Sequence, residues 1–360
     1  MYNSAKEILG YHDDKVDLPP SERNEMRARR DSNRTRVKQG LDKNGNPKPL
    51  EFKTQGSYEM RTMTQHPDKN YDIDDGIYFD QKALKKSDGS DMSVLEARQM
   101  VRGAVDDGSF NTKPKVLKNC VRVYYETGYH VDLPVYRRVT VMDSWGNEEI
   151  YYELTSTDWK RSDARDVTKW FKGENERQSP DATNGRQLCR MCRLIKKFAN
   201  SRASWKGQIG SGFMITKLVT EIYSADIGRE DNALYNTMKA MRDRLETNSV
   251  VEHPVTPDST ITDDSGADPK AKFLKEKLSD AISWLDVLFK EGCTSEEAMK
   301  AWDKVFSTTY FTETLEAEKE KGKQLSNSAA AVANSGLLKD WANSPSPQTP
   351  VRKDGGGRYA

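Results

Sequence analysis

Along the first half of the chain apolar and polar residues alternate in short runs, whereas in the second half apolar positions recur every three or four residues. Leu50 to Thr54 is a short β-prone run, and Ile73, Ile77 and Phe79 standing among polar residues predict a strand. Cys120 to Glu126 and His130 to Thr140 alternate as strands around the turn Thr127-Gly128-Tyr129, and Glu149 to Leu154 adds another. Between these runs, Ser93-Val-Leu-Glu96 is a capping box. Val94, Ala97, Val101, Ala104 and Val105 follow at helical spacing, so this helix packs on the sheet. From Asp163 onward the period is 3.6. In Arg186 to Asn200 the residues Leu188, Met191, Cys192, Ile195, Phe198 and Ala199 form an apolar stripe, with Arg186, Arg190, Arg193 and Lys197 opposite. Further helices follow through Ile215–Ile222, Asn232–Glu246, Phe273–Phe289 and a last one capped by Thr294-Ser-Glu-Glu297.

The change of period predicts an α+β chain of two lobes, a mixed central sheet followed by an all-helical lid, with boundaries near 1–160 and 161–315. Upstream of the sheet, Ser21 to Gln39 reads as a helix that Ser21 starts and Gly40 ends. Its Arg23, Arg27, Arg29, Arg30, Arg34, Arg36 and Lys38 make either a solvated face or an electropositive flank for a nucleotide or an acidic partner. Residues 316–360 turn to Glu/Lys, then Ala/Ser/Asn, then Pro-Ser-Pro and Gly-Gly-Gly, and are expected to form a disordered tail.

The chemistry concentrates in residues 56–80. A period of two puts Asp72 and Asp74 on one face of their strand, where two carboxylates repel unless a divalent cation lies between them. Just upstream, Gly56 and Ser57 follow a strand and precede a stretch able to start a helix at Tyr58. Backbone amides can approach a phosphate there.

Composition narrows the picture. The chain has 360 residues, 31% of them charged, and a net charge of +1, which excludes a globally basic nucleic-acid coat. There is no apolar run of membrane-spanning length and no signal-peptide core, so the expectation is a cytoplasmic protein without a membrane partner. The four cysteines are too scattered for a disulfide framework. Cys189 and Cys192 have zinc-like spacing but lack two further ligands, and they read as reduced thiols near a helix core face.

Gly56-Ser57 followed by Asp72-x-Asp74 resembles the nucleotidyltransferases of the DNA polymerase β superfamily, whose signature ends in a third Asp on a later strand. Asp132, a polar residue inside the apolar run His130 to Val135, matches it. The form Asp-Ile-Asp-Asp-Gly followed by Ile-Tyr-Phe, with the insert Arg61 to Asn70, is similar to the bacterial CD-NTases, cGAS-like enzymes that make cyclic oligonucleotides in anti-phage defence (CBASS). The resemblance implies a polymerase β-like core and two Mg²⁺ ions, replaceable by Mn²⁺, on Asp72, Asp74 and Asp132. It also implies ATP and other NTPs as substrates, and a triphosphate held by Gly56, Ser57, Lys196 and Ser211. A cyclic di- or trinucleotide containing adenine would pass to a downstream effector. The zinc insertion of animal cGAS is missing, which argues against activation by DNA. The tail would be either a solvent-exposed segment with no role or a handle for a regulatory protein from the same operon. Two rivals are a template-free RNA-tailing enzyme and a catalytically dead scaffold, which would have lost a carboxylate.

Overall fold

The computed structural model describes residues 1–256 and 258–334. Its sheet contains β1 (Glu51–Gln55), β2 (Asp72–Asp80), β3 (Lys115–Val116), β4 (Cys120–Tyr124), β5 (His130–Met142), β6 (Glu148–Thr155) and β7 (Trp159–Arg161). The order is β1-β2-β5-β4-β3. The long β5 pairs through its first half with β4 and through its second half with β6, which carries β7. Only β2 and β5 run parallel, and all other pairs are antiparallel. The sheet is therefore mixed, as the alternating runs suggest.

Two helices cover one face of the sheet: α2 (Pro20–Lys43), which follows the short α1 (Ala5–Tyr11), and α4 (Val94–Val105). A single turn, α3 (Gly56–Glu59), lies between them in sequence. The capping box of α4 forms as expected, with Glu96 N donating to Ser93 Oγ at 3.2 Å and Ser93 N to Glu96 Oε2 at 2.7 Å. In contrast, Gly40 does not end α2. The helix runs through it to Lys43, because at Gly40 the backbone of α2 lies against that of α4, and a Cβ there would sit 2.0 Å from the Ala104 carbonyl oxygen. The start also differs, with Pro19 as N-cap and Pro20 in the first turn, where a missing N–H costs nothing. Much of the positive charge of α2 is internally matched: Arg34 binds Asp75, Arg36 binds Asp107, and Arg29 lies 3.8 Å over the Tyr129 ring. This face is mostly ion-paired and stacked, and little of it is left as an electropositive flank.

The second lobe comprises α5 (Ala164–Gln178), α6 (Gln187–Ala199), α7 (Gly212–Ile222), α8 (Glu230–Thr247), α9 (Pro269–Leu285), α10 (Ser295–Phe306) and α11 (Tyr310–Asn334). At its centre is α6, with twelve of its thirteen residues buried. The basic stripe read from the sequence is therefore largely internal. Arg190 is held by Asp181 and Glu230, and Arg193 by Asp17 and the Asn184 carbonyl. Residues 1–16 pack in this lobe too, through Ile8, Tyr11 and Val16 and through Ser4 N donating to Asp231 at 2.8 Å. The sequence had grouped them with the catalytic lobe.

The expected tail also begins later than residue 316. The carboxylate of Asp303 accepts from Phe311 N at 2.9 Å and from Thr312 N at 3.1 Å, and Phe311 is buried, so α11 starts with a cap and an anchor. Residues 335–360, with the Pro-Ser-Pro and Gly-Gly-Gly stretches, lie outside the described residues. Among those described, no helix is long and apolar enough to cross a membrane.

The two glycines of the α2–α4 pair have opposite roles, and substitution separates them. Gly40→Ala forces the helices apart and should cost about 2 kcal/mol or more. Gly103→Ala, with nothing within 4 Å of the new methyl, should stabilise by roughly 0.5–1 kcal/mol. Urea unfolding of both variants measures the difference, and equal effects would rule out the close approach.

Candidate active site

Strand register alone brings three carboxylates together. Parallel pairing sets Asp74 opposite Asp132 and Asp72 opposite His130, while β1 sets Gln55 beside Asp74 and β4 sets Arg122 beside Asp132. Gln55, Asp74, Asp132 and Arg122 thus form one row across four strands, with Asp72 one pleat away on the same face. The next residue, Asp75, points to the opposite face and is buried against Arg34 and Thr54, where it ties α2 to the sheet.

The electrostatics of the row are uneven. Asp74 keeps some exposure to the cleft, but loss of water around its carboxyl, and then the charges of Asp132 and Asp72, push it up to about 7. Its Oδ2 lies where a side chain on Gly56 would begin, 2.1 Å from that Cβ, and Gly56 has φ +67°, so both space and backbone demand glycine. Asp132 accepts two bonds from Arg122, Nε to Oδ1 and Nη2 to Oδ2, each 2.7 Å. Asp72 is paired with His130 Nδ1 at 3.0 Å and stands 3.6 Å from Arg122 Nη2. Among the described residues no three acidic, histidine or cysteine side chains converge on one point as metal ligands.

The row opens into a cleft of about 680 Å³ between the lobes. Gly56, Ser57, Asp72 and Asp74 line it from the sheet side, and Lys196, Gly212, Phe213 and His253 from the helical side. Asp132 sits behind, beside Asp74 and under Arg122. Lys196 is 6% exposed, and its Nζ donates to the Thr62 hydroxyl at 2.8 Å and the Thr62 carbonyl at 3.2 Å. Burial lowers this ammonium to about 8. Ser211 differs from the expectation in its hydrogen bonding. Its hydroxyl caps α7, accepting from Met214 N at 3.1 Å, and the cleft wall at that point is Gly212 and Phe213. A larger neighbouring cleft of about 850 Å³, along β6 and the start of α5, is lined by none of the three carboxylates.

Several residues around the row escaped the sequence reading. Thr62 belongs to the insert, and Phe213 and His253, whose rings meet edge to face at 5.5 Å, come from a helix start and a long connection. None carries a motif. Arg122 had a faint signal, being a charged residue in an otherwise apolar strand immediately before the one that bears Asp132.

Comparison with known proteins agrees with this geometry. Residues 50–136 match the family model described as "Cyclic GMP-AMP synthase DncV-like, nucleotidyltransferase domain", a span that includes Gly56, Ser57 and all three aspartates. Vibrio cholerae DncV cyclic AMP-GMP synthase, in complex with the linear intermediate 5' pppA(3',5')pG, aligns with TM-score 0.65 at 17% identity, covering 85% of this chain and 96% of that one. The same enzyme bound to 3'-deoxy ATP gives 0.65 at 17%, covering 84% and 95%. E. coli MS115-1 CdnC with ATP gives 0.62 at 16%, covering 85% and 98%. At these identities the structures share the bilobed fold. Residues 50–136, which bear the three carboxylates, are thus similar to a nucleotidyltransferase domain, the kind of domain the motifs resemble.

Lys196 can hold an anion only while protonated. With its ammonium lowered to about 8, affinity for a nucleoside triphosphate should fall as pH rises above that value, by up to roughly tenfold per pH unit. Lys196→Arg, cationic throughout, should abolish the fall. Calorimetric titration at several pH values reads this out, and a wild-type profile that stays flat well above that value removes Lys196 from triphosphate binding.

Proposed function

We propose that the chain joins nucleoside triphosphates, ATP among them, into a cyclic di- or trinucleotide that acts as a second messenger in anti-phage signalling in the cytoplasm. The observation that carries this reading is the row of Asp72, Asp74 and Asp132, the first two lining a cleft with Asp132 behind them and Lys196 on the opposite wall. In the relatives, DncV is described with a linear pppApG intermediate and CdnC with ATP, which supports adenine nucleotides as substrates here.

The residues present fit divalent cations. Three carboxylates are the hard oxygen donors that Mg²⁺ or Mn²⁺ takes, and Asp74 is raised first by loss of water and then by the like charges of Asp132 and Asp72 beside it. Asp72 and Asp74 would hold both ions and Asp132 one of them; when bound, they polarise the triphosphate and lower the pKa of the attacking ribose hydroxyl. The remaining steps belong to the chain. Gly56 leaves room for Asp74 and exposes its amide to a phosphate, and Ser57 offers a hydroxyl beside it. Lys196, reaching from the helical lobe, pairs with phosphate charge and fixes the triphosphate for in-line attack. Each nucleotide is joined by one transfer that releases one pyrophosphate, and the last transfer, intramolecular, closes the ring.

Incubation with labelled NTPs, followed by phosphatase and nuclease digestion, tests this directly. The expected result is a small phosphatase-resistant product; a ladder on added RNA, or no product, would overturn it. Replacing Asp72 and Asp74 together with Asn keeps side-chain size but removes the charge that holds the ions. Turnover should fall at least about a thousandfold while circular dichroism is unchanged.

A further inference from the structure

We propose that Arg122 is the resident counter-cation of the carboxylate row, holding Asp132 in the metal-free enzyme and weakening the row's hold on divalent ions until a nucleotide arrives. The inference rests on the metal-dependent reading above and adds a residue to it. Arg122 lies on β4 as the direct cross-strand partner of Asp132. Its guanidinium engages both oxygens of Asp132 at 2.7 Å and reaches towards Asp72 Oδ2 at 3.6 Å. Both oxygens of Asp132 are thereby committed, and its side chain is 10% exposed, so little water competes for them. Asp72 is turned to His130. These pairings explain why no three ligands converge in the described residues, even though the register puts three carboxylates side by side.

A bidentate guanidinium takes up part of the lone-pair capacity of both Asp132 oxygens, and as like charges it and a divalent cation repel at this range. Metal binding to the row therefore competes with the Arg122–Asp132 fork. In the nucleotide-free enzyme the fork opposes metal uptake. A triphosphate entering with its own cation supplies the negative charge that tips the exchange. Arg122 in this role is a positioning residue, since it acts through Asp132. It makes metal loading depend on substrate, so that the nucleotide-free cleft holds metal more weakly than the nucleotide-bound one.

The test is Mn²⁺ binding to the full chain without nucleotide, followed by electron paramagnetic resonance. Arg122→Met should bind Mn²⁺ roughly tenfold more tightly than wild type, because a competing charge has gone. Arg122→Lys, which keeps charge but loses the fork, should fall between them. A non-hydrolysable ATP analogue should narrow the gap. A merely structural Arg122 predicts the opposite sign, since its loss would loosen the row and weaken Mn²⁺ binding. Equal or weaker binding in Arg122→Met overturns the proposal, and if that variant does not fold, wild-type affinity in Arg122→Lys does so. The Asp72/Asp74 double Asn variant sets the zero. If wild type stays at that zero even with the ATP analogue, the metal-dependent reading itself has failed.

Discussion

The parallel pairing of β2 with β5 imposes the constraint on which the rest depends. It places three like charges on neighbouring strands, where at separations of a few ångströms each repulsion is on the order of a few kcal/mol. The surrounding structure manages that repulsion in three ways. Arg122 and His130 supply positive or donor partners to Asp132 and Asp72. Gly56 gives Asp74 room by having no side chain. Asp74 itself keeps a raised carboxyl, first because burial strips it of water and then because Asp132 and Asp72 lie close.

The same four-residue stretch also anchors the fold. In Asp72-Ile-Asp74-Asp75 the pleat sends the first and third side chains to the cleft, and the fourth to the opposite face. There Asp75 is buried with Arg34 of α2, alongside the apolar cluster that α2 and α4 build with the sheet. Chemistry and packing share one strand, so distortion on one face is felt on the other.

Periodicity and capping chemistry made most of the architecture readable. Alternation exposed β2, β4, β5 and β6, and the boxes at Ser93 and Thr294 marked the starts of α4 and α10. The positions of Asp72 and Asp74 followed from a period of two, and Asp132 from its misfit in an apolar run. Gly40 misled because a glycine at a helix–helix contact and a glycine at a helix end look alike in sequence, and only the partner helix distinguishes them. The burial of the α6 arginines was not legible for a related reason: the acids that meet them, Asp17, Asp181 and Glu230, are distant in sequence. The cleft wall from the helical lobe was illegible beyond Lys196, since Phe213 and His253 are selected by tertiary contact alone.

The polar face of α6 carries part of the lobes' mutual attachment, to which α5 adds Arg165 on Glu51 and Lys172 on Glu59. Arg193 holds Asp17, Lys196 holds Thr62, Cys189 approaches the Arg61 carbonyl at 3.2 Å, and Lys197 donates to the Gln65 carbonyl at 3.2 Å. Four neighbouring side chains on one helix thus grip the segment just before α2 and the insert after α3. Lys196 has a double position among them: it lines the cleft, and its ammonium is also one of the ties between the lobes.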